Sequence, residues 1–308
     1  KNILLLNTVS KNRIVLENFH TDLGHQLLKN KRHILFSNLN FSTKDSTYKD
    51  NNIHATFDGF NLSNIAIDKL YVKDMKNIIN FITIFSQKTI KSTLKNINDG
   101  YLSNLMLLDL DDSRKFRYDV DFEGIEFINN NIFSMDKIIG NLVGSSKSGK
   151  LLIKGKDVEV SVNNDDKFKL SQLNGLIFYK VSNNKISLSS EELKLGDSHL
   201  ANIYGSFSHD KSKYKINIQG DLDSLINILP TKYTKLIKLK NISLNSEYNL
   251  DYRFLKNKEK INSYGAINFF NLAIHDKQND IVINSQKLRI NFFDKYIQSY
   301  KTQYYINN

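Results

Sequence analysis

Between Ile242 and Phe254 the chain alternates apolar and polar residues through thirteen positions. Ile242, Leu244, Tyr248, Leu250, Tyr252 and Phe254 share one side, interrupted only by Ser246, while Ser243, Asn245, Glu247, Asn249, Asp251 and Arg253 share the other. A period of two sets alternate side chains on opposite faces of an extended strand, one covered and one wet. At about 3.3 Å per residue the run predicts a strand of roughly 40 Å, far beyond the usual five or six residues.

The pattern recurs. Tyr118, Val120 and Phe122 oppose Asp119, Asp121 and Glu123; the apolar phase then slips to Ile125 and Phe127, with Gly124 at the slip as a β-bulge requires. Val158, Val160 and Val162 oppose Asp157, Glu159 and Ser161. Ile186 and Leu188 are followed by Leu193 and Leu195, then by Ala201, Ile203, Gly205 and Phe207, then by Tyr214, Ile216 and Ile218. Turn formers separate these runs: Asn163-Asn164-Asp165-Asp166, Ser182-Asn183-Asn184, Gly196-Asp197 and His209-Asp210-Lys211. The expectation is a mainly β chain, a long antiparallel meander wet on one side.

Two stretches break the alternation. Met75, Ile78, Ile79, Ile82, Phe85, Ile90, Leu94 and Ile97 fall at helical spacing, which predicts a long helix over 74–97 with Asp74 as N-cap and Gly100 just past its end. A short helix is expected over 222–229, started by Asp221 or Asp223 and stopped by Pro230. The organisation expected is a β-rich segment over 1–97 ending in the long amphipathic helix, then a repeating β segment over 98–308. A helix of about 24 residues spans roughly 36 Å and cannot cover the apolar face of ten or more strands. That face must bury itself in a second sheet, in a closed barrel or against a ligand in an open gutter, and periodicity does not choose among the three.

Composition narrows the chemistry. With no Cys, a disulfide framework, a thiolate metal site and a thiol nucleophile are excluded, a usage that fits an oxidising compartment and equally fits drift. The net charge of +11 comes from 37 Lys and only 6 Arg, and Asn occurs forty times. Lys, Asn and Ile are the residues that AT-rich codons encode, whereas a selected phosphate-binding face favours Arg. The Lys are scattered, the densest group being Lys232, Lys235, Lys238 and Lys240, so no nucleic acid is expected. Gly144-Ser145-Ser146-Lys147-Ser148-Gly149-Lys150 matches a phosphate-loop spacing, but Leu151 stands where Ser or Thr must follow, and a strand pattern stands where a helix must. A hairpin turn is expected there, and no nucleotide. The seven His are dispersed, and Asp109, Asp111 and Asp112 lack the Gly and Glu of a calcium loop, so neither a metal nor catalysis is expected. No run reaches the roughly 18 apolar residues of a membrane-spanning helix. The start at Lys1 and the end at Asn308 suggest an internal piece of a longer chain.

A cadence of Gly, Leu and alternating strands spans about 98–254. It runs through Asn98-Asp99-Gly100-Tyr101-Leu102-Ser103-Asn104-Leu105, Phe116-Arg117-Tyr118-Asp119-Val120, Ser148 to Val158 and Leu170 to Tyr179. It continues through Gly196-Asp197, Ala201-Asn202-Ile203-Tyr204-Gly205-Ser206-Phe207, Ile216 to Asp223 and Ile228-Leu229-Pro230. In this order the motifs resemble the AsmA-like superfamily, most closely its YhdP branch. The resemblance implies a strip curled into an open β-groove (a β-taco), part of a bridge-like carrier anchored in the inner membrane of a Gram-negative envelope. It implies a periplasmic location, transport of phospholipid towards the outer membrane, acyl chains as the partner, membrane contact through parts outside this segment, and no cofactor. No anchor is present here, which departs from the family. The apolar faces expected to line such a groove are Tyr118, Val120, Phe122, Val158, Val160, Ile186, Leu188, Ile203, Phe207, Tyr214, Ile216, Ile218, Ile242, Leu244, Tyr248, Leu250 and Tyr252. The alternative is a closed β-sandwich or solenoid acting as a structural or adhesive module. Residues 1–70 and 260–308 read as strand-rich and receive no role.

Overall fold

The computed structural model describes residues 2–6, 13–74, 97–112, 114–129, 133–162, 166–182, 185–207, 211–221, 242–257, 260–277, 279, 281–293, 296–299 and 305–307. The chain divides into two compact units, Lys1–Leu151 and Leu152–Asn308. The first holds β1 (Ile3–Leu6), β2 (Arg13–Leu28), β3 (Lys31–Ser42), β4 (Thr47–Asp58), β5 (Asn61–Tyr71), β6 (Ile97–Leu108), β7 (Arg117–Asn129) and β8 (Phe133–Ser145). β9 (Ser148–Val162) runs through the division. The second unit continues with β10 (Asp166–Ser182), β11 (Lys185–Leu195), β12 (His199–Phe207), β13 (Lys211–Asp221), β14 (Ile242–Asn257), β15 (Lys260–Asp276), β16 (Ile281–Phe293), β17 (Tyr296–Ser299) and β18 (Tyr305–Asn307). From β1 to β8, and again from β10 to β16, each strand pairs antiparallel with the next in sequence; β17 and β18 both pair with β16. The expected boundary at 97/98 lies inside the first unit, where Leu70 pairs with Leu102.

The strands are long. β10 and β15 have 17 residues each, and β14 runs three residues past Phe254 to Asn257. Long strands on a twisted sheet accumulate mismatch, and bulges relieve it. The slip read at Gly124 is present: its φ is 63° and the β7–β8 register shifts between Phe122 and Ile125. Most other in-strand residues of positive φ are Asn or Asp, among them Asn38, Asp50, Asn104 and Asn271. Their short polar side chains tolerate the left-handed region. Neighbouring Asn amides then bond the displaced backbone. The Asn38 N–H donates to Asn52 Oδ1 at 3.3 Å, and the Asp50 N–H to Asn40 Oδ1 at 3.2 Å. Asn51 copies a whole peptide pairing, giving Nδ2 to the Lys69 carbonyl and taking the Lys69 N–H on Oδ1, both at 2.9 Å.

The long helix over 74–97 has no support among the described residues. Helical geometry is confined to 72–74, residues 75–96 lie outside the description, and Ile97 already belongs to β6, paired with Phe127. Gly100 is not a helix stop. It sits inside β6 at φ 116° because a Cβ there would stand 2.8 Å from the Ile125 Cα and 2.9 Å from the Gly124 carbonyl. Asp74, expected to cap a helix, is buried, and its carboxylate accepts hydrogen bonds from Ser46 and, at 2.7 Å, from Tyr48. Tyr48 in turn accepts the Tyr71 N–H at 2.9 Å, and burial pushes its phenol pKa well above the ordinary value. The short helix over 222–229 and the lysines from Lys232 to Lys240 lie outside the described residues.

Tyr48→Phe orphans a buried N–H and one acceptor, so it should cost the first unit about 1–3 kcal/mol in urea unfolding. Asp121 gives a pH-dependent readout. Hydrogen bonds from Asn104 (2.8 Å) and Asn141 (2.9 Å) hold its carboxyl below the ordinary carboxylate range. A depressed folded-state pKa stabilises above the unfolded value, near 4, and that contribution fades as pH falls through the lower folded value. Asp121→Asn should therefore narrow the gap in thermal midpoint between neutral pH and about pH 3.

Candidate functional site

The apolar residues of β11 to β16 line up into rungs, because each strand's register fixes which side chain faces which. One rung runs Ala201, Ile218, Leu250, Ile267 and Ile290, every member apolar, across five adjacent strands. A second runs Ile203, Ile216, Tyr252 and Gly265. A third pairs Tyr179 with Leu188, Leu188 with Gly205, and Gly205 with Tyr214. Ile186 pairs with both Val181 and Phe207, Tyr248 with Phe269, Leu244 with Ile274, and Ile242 with Asp276. The expected lining residues of β11, β12, β13 and β14 thus fall into one set of rungs. The description covers the side chains of neither Phe207, Tyr214, Ile242 nor Leu244, which are placed by backbone pairing alone. Val158 is fully buried, and Val160, in the same strand, is partly exposed.

Exposure varies along the face. At one end Leu173, Leu193, Ala201 and Tyr248 are buried. Towards the middle, Ile203, Ile216, Ile218, Leu250, Tyr252, Ile267 and Ile290 all remain partly open. Central positions of a sheet clasped by a second layer normally lose nearly all their accessible surface. These do not.

The buried end has a defined joint. His199 is 2% exposed, and its ring lies 5.7 Å from that of Tyr248, tilted by 45°. Gly220 makes room for it, since a Cβ there would collide with the His199 ring and stand 2.9 Å from the Ser198 carbonyl. On the opposite face Asn202, Asn217 and Asp251 form one rung, which continues into the buried Ala266 and Asn291. Asn217 donates from Nδ2 to Asn249 Oδ1 at 3.0 Å and to Asp251 Oδ1 at 3.2 Å, and Lys215 pairs with the same carboxylate at 3.2 Å. Burial raises the Asp251 pKa, but these hydrogen bonds outweigh it and hold the group below its ordinary range.

The first unit carries rungs of its own. Ile34, Ala55, Ile65, Leu107 and Tyr118 are paired in series, as are Leu23, Phe36, Ile53, Ile67 and Leu105. Val120 pairs with Leu142, and Phe122 with Leu102 and Gly140. The structure thereby joins Tyr118 through Leu107 to Ile65, Ala55 and Ile34, for which the sequence suggested no role, while Phe122 meets β6 at Leu102 and Val120 meets β8 at Leu142. Ile267, Phe269, Leu288 and Ile290 are likewise additions in the second unit. Their signal was present as short alternations, such as Ile65 with Ile67 and Ile267 with Phe269, broken by Asn.

No family model, curated protein or solved structure matches this chain. Within Gly144 to Lys150, Ser146-Lys147 forms the turn between the end of β8 and the start of β9, and Ser145 Oγ accepts the N–H groups of Lys147 (3.2 Å) and Ser148 (3.3 Å). Among the described residues no three His, Cys, Asp or Glu side chains converge on one point, and no helix is long and apolar enough to cross a membrane.

Gly220→Val should push the His199 ring off Tyr248 and destabilise the second unit by about 1–3 kcal/mol. Urea unfolding followed by far-ultraviolet circular dichroism checks this, and an unchanged midpoint would show the joint to be slack.

Proposed function

We propose that this chain is a non-enzymatic, lipid-conducting segment of a longer envelope protein, in which the apolar rungs carry phospholipid acyl chains. The observation that supports it is the rung Ala201, Ile218, Leu250, Ile267, Ile290, uninterrupted by a polar residue and partly exposed over Ile218 to Ile290. At about 4.8 Å between strands, five strands span roughly 19 Å, on the scale of an extended acyl chain. Each methylene moved from water onto such a surface contributes about 0.8 kcal/mol. A uniform oily track holds a chain by its length and presents no single deep well. Sliding from rung to rung then costs little. The resemblance to the AsmA-like superfamily agrees with this reading and supplies the periplasmic setting, the inner-membrane anchor outside this segment and the route towards the outer membrane.

A closed structural module is the second reading, favoured by the buried end at Leu173, Leu193, Ala201 and Tyr248. Lipid content separates the two. The chain expressed in a Gram-negative host and purified without detergent should carry phospholipid detectable by mass spectrometry. Ile218→Asp, Leu250→Lys and Val160→Asp place charges at partly exposed positions, where a charge keeps access to water. Each should reduce bound lipid several-fold with the β circular-dichroism signal intact. An empty wild-type chain, or variants that load lipid normally, would mean that these side chains pack a core.

A further inference from the structure

We propose that two neighbouring hairpin tips of the first unit form a site that inserts into an anionic bilayer interface. This inference does not rest on the lipid-conduit reading. β2 and β3 are joined by Lys29-Asn30, with φ values of 48° and 65°, the two-residue turn that keeps a twisted hairpin tight. β4 and β5 are joined through Gly59-Phe60. Register sets the tips side by side: Leu27 pairs with Arg32 and Arg32 with Phe57, while Leu28 pairs with Lys31 and Lys31 with Asp58. Phe60 is 90% exposed, Leu27 63% and Leu28 47%, with Leu23 at 68% further along β2.

Single exposed apolar residues are ordinary, but several grouped at adjoining tips and rimmed by charged side chains mark an interaction surface. Their chemistry names the occupant. Lys29, Lys31 and Arg32 surround them, and the Arg32 guanidinium lies 5.4 Å from the Phe60 ring centroid. Asp58 is the one acid within the tips, spread over Lys31 at 3.8 Å with both groups well exposed. The remaining charge is positive. Three large apolar side chains at two hairpin tips are far too few for a stable protein interface, which takes about 800 Å² per partner. A bilayer interface asks for much less: a few buried apolar groups, with basic side chains reaching up to the phosphates.

The chain contains no Trp, so Phe60→Trp supplies the sole indole reporter. Its emission should shift to the blue with phosphatidylcholine–phosphatidylglycerol vesicles and stay unchanged with phosphatidylcholine alone. In flotation assays the wild-type chain should bind the anionic vesicles, and the binding should weaken with salt. Lys29→Glu/Arg32→Glu and Leu28→Ser/Phe60→Ser should each lower that binding by about tenfold or more, with circular dichroism confirming that both variants fold. The proposal fails if the wild-type chain ignores anionic vesicles, binds neutral ones as well, or binds unchanged in either folded variant. A lipid-loaded chain that does not float would overturn this site alone; a chain that floats but carries no lipid would count only against the conduit.

Discussion

Cross-strand register is the constraint on which everything else in this molecule depends. Side chains in a strand alternate with a period of two, so a slip of one residue carries a whole strand's apolar set to the wrong face. With strands of up to 17 residues, one slip would misplace eight or more side chains at once. At many of the register shifts a residue of positive φ absorbs the extra position. At Asn271, for example, the apolar phase of β15 moves from Ile267 and Phe269 to Leu272 and Ile274, so Leu244 of β14 still meets Ile274. Gly124 serves β7 in the same way.

This gives the abundant asparagine a use that composition alone conceals. An amide side chain carries one acceptor and two donors, the inventory of a peptide group with one donor to spare. Where the backbone ladder is interrupted, Asn40, Asn51 and Asn52 supply the missing partner. On the polar faces the same residue type bridges acids, as Asn141 does between Asp119 and Asp121. Nucleotide bias explains how such residues become available, and the bulges explain where they fit.

The chain's β character and the faces of β7 and β11 to β14 were legible in the sequence because alternation there is clean over many residues. The bulge at Gly124 was legible because a phase slip and a glycine coincide. The rungs were not, since they are relations between residues far apart in the chain that only pairing reveals. Residues 1–70 read as strand-rich, as β1 to β5 are, but their faces and pairing stayed unread because Asn inside a strand looks like Asn in a turn. The reading of 74–97 took Gly100 as a stop signal, when its missing side chain instead admits Gly124 and Ile125 of the adjoining strand. Asp74 fits the profile of a capping residue, but its partners, Ser46 and Tyr48, lie more than twenty residues back in the chain.

Among the described residues β1 to β8 and β10 to β16 each pair with the next strand in sequence, so each strand takes its register from its neighbours. Architectures of this kind grow by whole modules. Duplicating or deleting one hairpin keeps the polarity of all downstream strands and the sidedness of their residues, whereas adding a lone strand would reverse the direction of those that follow. The number of strands in such a sheet is therefore a quantity that evolution can adjust two at a time, about 10 Å of sheet width per step, without redesigning what has already been laid down.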